Sequence, residues 1–287
     1  MASELRETIP TFGQKQAADE RAGQVDLANW SALSNASFAK SWAEAAVIAL
    51  VAVIIVGGAE LAVILFDIKP YIFPRPSAIA TALVTNFPTL FWPHVQVTLY
   101  ELFVGFGIGA AVGLMLAAVI TQFPFVEKVI TPYILLLVTT PMIALVPLLI
   151  LNLGFTSTPR IIAVALASGP MVMINSATGF RRTDLAKIAL ARSYGASTFQ
   201  IFMKVRFPLA LPMIIVGLMV GAIFGLLTAV GAEMVGGKDG LGNQLMFWSS
   251  MVRMENFYAI IALLAIIGVS IYIAFYWIGK KWASWQA

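Results

Sequence analysis

Acidic residues within apolar stretches are the first candidates for chemistry in this chain. Glu101 and Glu233 each stand in a long run of hydrophobic residues, where a carboxylate is costly and therefore needs a reason. A pair of carboxylates can act as general acid and base, but nothing in the sequence places these two glutamates side by side. The chain has no cysteine and one histidine, His94. We therefore expect no metal site and no catalytic centre of the Ser-His or cysteine type.

Glycine-rich runs that could hold a phosphate do not fit the nucleotide-binding motifs. The run from Gly231 to Asp239 misplaces the lysine of a P-loop and lacks its hydroxyl. A second run, which starts at Gly105, formally fits a dinucleotide pattern but lies in an apolar stretch. We expect Gly105, Gly109 and Gly113 to form a small-residue face that allows close helix packing. No nucleotide site is predicted on this chain.

Membrane-spanning helices must position these residues, because the composition excludes a soluble fold. Of the 287 residues, 60% are hydrophobic and 11% are charged, against about 25% charged in soluble domains. A helix crosses the hydrocarbon core with about 20 apolar residues. The apolar runs are continuous rather than alternating, which favours helices over a barrel. The sequence predicts an all-α integral membrane protein with six spans, near residues 43–66, 94–119, 129–151, 160–180, 209–235 and 257–279.

The basic residues predict the orientation of these spans. With the amino terminus inside, thirteen of the 18 Lys and Arg residues fall in inner segments, and Arg160 is one of the five in outer loops. This excess favours a cytoplasmic location for both termini. It also explains the positive net charge without nucleic acid as a partner. The predicted segments are a polar cytoplasmic tail with a possible interfacial helix (1–41), a first span (42–66), an external segment (67–93) and a five-span core (94–287).

The longest polar interval between spans, residues 181–208, carries six of the 18 basic residues. Its sequence predicts two short helices joined by a bend. Thr183 or Asp184 can cap the first helix, and Gly195 suits the left-handed residue that ends it. Ser197 begins a capping-box pattern for the second helix. A solvated inner loop and a rigid element that docks onto a partner both fit this composition.

The spacing in this loop resembles the EAA signature of ABC-importer permeases. The run Ala189–Ala191 is followed by three residues and Gly195, and nine residues later by the run Val205–Pro208. Ala189 stands where the family has its glutamate. The resemblance is to the nitrate/sulfonate/taurine branch and covers about residues 70–285. Other matching segments are Phe73–Ser77, Thr98–Gly107, Thr140–Pro141, Ala144, Pro147–Leu148, Leu153–Gly154, Gly231–Glu233 and Gly240–Gly242.

This resemblance implies a type I ABC importer permease fold and a set of partners. The chain would be a multi-pass permease of the bacterial inner membrane, paired with a second copy. A cytoplasmic ATPase dimer would hold ATP and Mg, and an extracytoplasmic binding protein would deliver the solute. The permease itself would hold no cofactor and catalyse no reaction. The implied coupling loop, with its coupling helix at 184–194, contains Asp184, Lys187, Ala189, Ala191, Arg192, Gly195 and Pro208.

Polar residues within the spans are candidates for lining or gating a pathway. Hydrogen bonding between helices is the alternative role for each of them. Pro132, Pro141, Pro147 and Pro170 are expected to interrupt spans three and four, which supports a pathway near 139–147. The pathway or gate candidates are Glu101, Thr139, Thr140, Met142, Ser168, Asn175 and Glu233.

The solute stays open at this point. The resemblance favours a small anion such as nitrate, a sulfonate or taurine. No Lys or Arg lies deep in a predicted span, so a pyrimidine vitamin precursor or an aromatic acid is the alternative. A self-sufficient secondary carrier would usually show an internal repeat, and no convincing repeat is present. An intramembrane enzyme would need a nucleophile, base or metal constellation, for which only a carboxylate pair is available.

Overall fold

The computed structural model describes residues 42–282, and every regular element within that range is helical. The predicted interfacial helix in the tail lies outside the described residues. Two π-helical turns occur, at Phe87–Phe91 and Phe202–Arg206. The α-helices, labelled in chain order, are α1 (Trp42–Leu65), α2 (Pro76–Asn86), α3 (Trp92–Gln122), α4 (Pro124–Thr139), α5 (Met142–Leu153), α6 (Thr158–Arg181), α7 (Leu185–Ser193), α8 (Thr198–Ile201), α9 (Phe207–Gly236), α10 (Leu241–Ser250) and α11 (Met254–Trp282).

The number of apolar helical segments agrees with the predicted spans. Over residues 42–282, five helical segments are long and apolar enough to cross a membrane, and a sixth span results when the bent pair of α4 and α5 counts as one. The predicted all-α membrane fold is confirmed. The segment 67–93, predicted only as external, contains α2 and the first π-helical turn. These two elements run into α3 without a break.

The predicted third span, 129–151, is broken at Pro141, as expected. The axes of α4 and α5 meet at 94°. Thr140 is extended, with ψ of 125°, as residues before proline commonly are, and Pro141 offers no N–H to continue the helix. The expected interruptions at the other three prolines are wrong, because the helices continue through them. Neighbouring groups can satisfy the freed carbonyls in a membrane helix, and the prolines that lie inside continuous helices are Pro132, Pro147 and Pro170.

Two further prolines explain the π-helical turns. Pro93 and Pro208 each follow such a turn by two residues. The intervening residues close the wider ring: the Trp92 N–H bonds Phe87 O, and the Phe207 N–H bonds Phe202 O. A proline removes one helical donor, and a π-turn is one way to keep the helix running past that gap. Pro208 therefore lies in the first turn of α9 and does not interrupt the helix.

Small residues bring α3, α6 and α9 into close contact. A Cβ added at Gly105 would lie 2.6 Å from the Val164 Cβ, and one at Gly113 would meet the Gly169 backbone. On the other side of α6, a Cβ at Gly217 would lie 2.9 Å from that of Asn175. The predicted small-residue face is confirmed. It makes α6 the central helix, packed on both neighbours.

The chain divides within α1. Residues before Glu60 belong to a separate unit, and the described residues from Glu60 onward form one compact unit. Inside that unit the Glu60 carboxylate accepts hydrogen bonds from the Ser77 N–H at 2.9 Å and from the Ser77 hydroxyl at 2.7 Å. These bonds satisfy free donors in the first turn of α2. The glutamate at the end of α1 thus fixes the start of α2.

Candidate functional site

The loop between α6 and α9 has the two-helix structure that its sequence predicts. The Asp184 carboxylate accepts a hydrogen bond from the Ala186 N–H at 2.8 Å and caps α7. Gly195 has a φ of +76° just after α7, a conformation that glycine adopts without steric cost. Ser197 and Gln200 form a complete capping box at α8. Local sequence therefore specifies the bend in this loop.

Large apolar side chains of this loop face outward. Leu185 is 78% exposed and Tyr194 is 83% exposed, and Leu190 and Phe199 are also largely exposed. Within α7, only Ile188 is buried. Exposed apolar groups beside charged residues are typical of a contact with another protein. We name as the docking surface the residues Leu185, Lys187, Leu190, Arg192, Tyr194 and Phe199.

The predicted coupling residues occupy this loop as follows. Lys187, Ala189, Arg192 and Gly195 are exposed, and Ala191 is half-buried. The four large apolar residues of the docking surface were missed by the sequence reasoning. The signal for them was available, because large apolar side chains are unusual in a basic segment that lies outside a span.

Aromatic side chains pack the loop against both adjoining helices. Phe180, at the end of α6, is buried. Its ring centroid lies 5.0 Å from that of Phe202 and 6.3 Å from that of Phe207, which begins α9. At the same end, Arg181 Nη2 lies 2.7 Å from Glu127 Oε1, in a partly exposed ion pair with the first turn of α4. The loop is therefore attached to the bundle at both of its ends.

A buried ion pair lies at the opposite end of α6. Arg160 Nη2 is 2.9 Å from Glu101 Oε1 of α3, with 7% and 0% of the two side chains exposed. The prediction that Arg160 lies in a loop is wrong, because it lies in the first turn of α6. Pairing with a buried carboxylate explains how a cation can occupy this position. Arg160 is the only basic residue between Lys128 and Arg181, which was the available signal.

Glu233, near the end of α9, joins the same cluster. Its side chain is fully buried, and its carboxyl group interacts with that of Glu101. Glu233 Oε2 accepts a hydrogen bond from the Gly242 N–H at 2.7 Å. Gly240 has a φ of +103°, and a Cβ there would collide with the Glu233 carboxyl group. The fold thus brings together two glutamates that are 132 positions apart in the sequence.

Side chains from other helices satisfy the first donors of α10. The Gly240 N–H donates to His94 Nδ1 at 3.1 Å, and the Leu241 N–H donates to Thr98 Oγ1 at 2.9 Å. Arg160 Nη1 donates to the Asp239 carbonyl at 3.0 Å. The start of α10 is therefore held by α3, α6 and α9 together. Over residues 42–282, no group of three or more His, Asp or Glu side chains is arranged to hold a metal ion.

The pathway candidates at the bend between α4 and α5 bond within their own helix. The exposed Thr139 hydroxyl donates to Leu135 O at 2.9 Å, and the Thr140 hydroxyl donates to Leu136 O at 2.7 Å. Met142, the first residue of α5, is buried. Both hydroxyl oxygens keep acceptor capacity beyond these bonds. The bend therefore places two hydroxyls beside a break in the helix.

Ser168 and Asn175 lie on α6, apart from the bend. Ser168 is fully buried against Gly109 of α3, and its hydroxyl donates to Val164 O at 2.8 Å. The half-buried Asn175 donates to Met171 O at 2.8 Å. Both therefore take part in helix packing. Among the described residues, the seven pathway candidates therefore lie in three places: the bend, the flanks of α6, and the cluster of Glu101 and Glu233 near Arg160.

Comparisons with known proteins identify the family. Residues 109–284 match the family model described as the binding-protein-dependent transport system inner membrane component. A probable ABC transporter permease protein of Haemophilus influenzae is 30% identical over 208 residues, which cover 72% of this chain and 84% of that protein. The putative aliphatic sulfonates transport permease protein SsuC of Escherichia coli is 28% identical, covering 75% of this chain and 82% of its own length. The formylaminopyrimidine transport permease protein ThiX of Halalkalibacterium halodurans is 25% identical, covering 61% and 70%.

A solved structure supports the fold independently. The chain is similar to one chain of a crystal structure of an amino acid ABC transporter, with a TM-score of 0.59 at 20% identity. The match covers 69% of this chain and 96% of the other. The predicted fold of type I ABC importer permeases is confirmed. With a family match over more than half of its length and with several membrane-spanning helices, the chain belongs to the inner membrane components of binding-protein-dependent transport systems, the ABC permeases.

Proposed function

We propose that two copies of this chain form the translocation pathway of an ATP-driven importer. A cytoplasmic ATPase dimer would bind the docking surface of each copy, and an extracytoplasmic binding protein would deliver the solute to the other side. The loop end of the bundle would then face the cytoplasm, as would both termini. ATP and Mg would be held by the ATPase.

The observation that carries this proposal is that the docking surface is exposed on a loop packed against α6 and α9. Large apolar side chains at a protein surface usually mark a binding interface, and Leu185 and Leu190 lie on the capped helix α7, outside the candidate spans. Lys187 and Arg192 add positive charge beside them. Ala189, at the usual glutamate position, offers no polar contact, so apolar contact would dominate the attachment.

Purification of the tagged full-length chain from its native cells in a mild detergent tests the partner. We expect a stoichiometric ATPase to co-purify. Gly195→Trp should release it, because a bulky residue there strains the bend and sits beside Tyr194. Gly154 provides a matched control, since it also has a positive φ, of +79°, and open space where a Cβ would project.

The Gly154→Trp variant should therefore keep the ATPase. Loss of the ATPase in both variants would point to general misfolding, and retention in both would contradict the docking surface. A chain that moves solute with no ATPase attached would favour a secondary carrier.

For the solute, we propose a small anion of the nitrate, sulfonate or taurine kind. The sulfonate relative SsuC supports this choice. The alternative, a pyrimidine vitamin precursor or an aromatic acid, is supported by ThiX and by the pairing of Arg160, which leaves its charge neutralised within the bundle. Thermal shifts of the associated binding protein with taurine, ethanesulfonate, nitrate and formylaminopyrimidine would separate these possibilities.

A further inference from the structure

The buried group of Glu101, Arg160 and Glu233, which we name the polar clamp, has no role in the function proposed above. It lies at the far end of α6 from the docking surface. These ends are about 36 Å apart along a helix of 24 residues, at 1.5 Å per residue. The inference below rests on the proposed function, because it concerns how movement at the docking surface reaches the other side of the membrane.

Three long helices meet at the polar clamp. Glu101 comes from α3, Arg160 from α6 and Glu233 from α9. Each of these helices also provides a hydrogen bond to the segment that starts α10: α3 through Thr98, α6 through Arg160 and α9 through Glu233. The start of α10 thus depends on all three helices at once.

The space around the clamp leaves little freedom for these parts to slide. A Cβ at Gly237 would lie 2.6 Å from Glu233 O and 3.0 Å from Arg160 Nη1. A Cβ at Gly242 would meet the Val230 carbonyl. Glycines therefore allow the backbone of residues 237–242 to lie directly on α9 and on the arginine. Packed interiors of this kind move as units and do not deform continuously.

The same helices connect the clamp to the docking surface. The loop that bears the docking surface leaves α6 and returns into α9. These helices touch closely along their length, at Gly179 beside Met213 and at Gly217 beside Asn175. A displacement of the loop is therefore applied to both helices together and is carried along their contact.

We propose that the polar clamp is a positioning device that joins α10 to α3, α6 and α9, so that α10 moves with them when the ATPase displaces the docking surface. Glu101, Arg160 and Glu233 act through this attachment. They hold the extracytoplasmic part of the permease in step with its cytoplasmic loop.

Spin labels can test the attachment, since the chain contains no native cysteine. Labels at Thr156→Cys and Lys238→Cys, both exposed positions, report the distance between the start of α6 and the clamped loop. We expect a narrow distance distribution in the parent chain and a broad one in Glu101→Gln, which removes the carboxylate of the buried ion pair. The double variant E101Q/R160Q should remain broad, because it also removes the hydrogen bond from Arg160 to the Asp239 carbonyl.

Two further variants keep this test decisive. Thr98→Val removes the acceptor of the Leu241 N–H with little change in volume or charge, and should also broaden the distribution if Glu101→Gln fails to insert. Glu127→Gln breaks the exposed ion pair at the other end and should leave the distribution narrow. A narrow distribution in both Glu101→Gln and Thr98→Val would overturn the clamp.

The transmission of movement needs a second readout, in the complex with the co-purifying ATPase. A label at Lys238→Cys should change its spectrum when ATP and vanadate trap the ATPase dimer. In Glu101→Gln, ATP hydrolysis should persist while this change is lost. An unaltered response in Glu101→Gln would refute transmission through the clamp. If no ATPase co-purifies, the proposed function fails, whereas the distance measurement on the chain alone still tests the clamp.

Discussion

At its carboxyl end α6 leads into a surface where cations and large apolar side chains face outward, whereas at its amino end a buried cation pairs with a buried carboxylate. The Arg160 side chain is 7% exposed and lies 2.9 Å from Glu101, while Arg181 is half-exposed in its pair with Glu127. Charge at the loop end is available to a partner. The charge of Arg160, at the amino end, is paired with a carboxylate inside the chain. The same residue types are thus exposed at one end of α6 and enclosed at the other.

Removal of the buried charge at Arg160 should have the largest effect on stability. A small effect would contradict the contrast between the two ends of α6. We expect Arg160→Met to lower the free energy of unfolding in detergent by about 3–5 kcal/mol, because two buried carboxylates lose their cation. Lys187→Met, an exposed cation on the docking surface, should change it by less than about 0.5 kcal/mol. Thermal unfolding of both purified variants provides the measurement. Equal effects would contradict the contrast between the two ends.

Two glycines with positive φ sharpen the comparison further. Gly195→Ala should cost about 1 kcal/mol of stability through backbone strain alone, because open space surrounds its Cβ position. Gly240→Ala should cost about 1–3 kcal/mol more, since the new Cβ collides with the Glu233 carboxyl group. Unfolding midpoints of the two variants, measured side by side, should fall in that order. The reverse order would contradict the close approach of Gly240 to the Glu233 carboxyl group.

Apolar residues of the docking surface should affect association and leave folding unchanged. Tyr194→Ser is expected to weaken ATPase binding about tenfold, equal to about 1.4 kcal/mol, because exposed aromatic residues are frequent interface hot spots. Its unfolding temperature should match that of the parent chain. Titration of the labelled permease with the purified ATPase gives the affinity. A large loss of stability with no change in affinity would assign Tyr194 to the bundle instead.

The exposed ion pair of the loop end should show the smallest effect. Glu127→Gln removes the contact with Arg181, and partly exposed pairs contribute about 0–1 kcal/mol. We expect a change in unfolding temperature that disappears at high salt, because salt screens exposed charges. The Arg160–Glu101 pair should resist the same salt. A salt-resistant effect at Glu127 would show that this pair is more enclosed than its exposure indicates.

Local patterns were sufficient to predict the two-helix structure of the loop between α6 and α9. The Asp184 cap, the left-handed Gly195 and the Ser197 capping box all depend on residues within a few positions of one another. Short-range hydrogen bonding and glycine conformation determine such features. The apolar runs predicted the spans for a similar reason, because hydrocarbon tolerates only backbones that satisfy their own hydrogen bonds.

The prolines mark the limit of this local reasoning. Pro141 ends a helix, yet Pro170 lies inside a continuous one. Both remove one N–H donor, so the sequence alone treats them alike. The difference arises from surroundings: Pro170 is buried in the packed centre of α6, where neighbouring helices constrain the backbone. Whether a proline breaks a helix is therefore decided by the tertiary structure.

Composition and spacing along the chain were enough to predict a polytopic membrane bundle, its spans, the capped loop with its EAA-like spacing and the small-residue face of α3. Each of these features depends on residues within a single stretch of the chain. The burial of Arg160 against Glu101, with Glu233 beside them at the start of α10, follows from the tertiary structure alone. That cluster joins residues from three helices, and its partners are selected by helix packing over distances that no local pattern encodes.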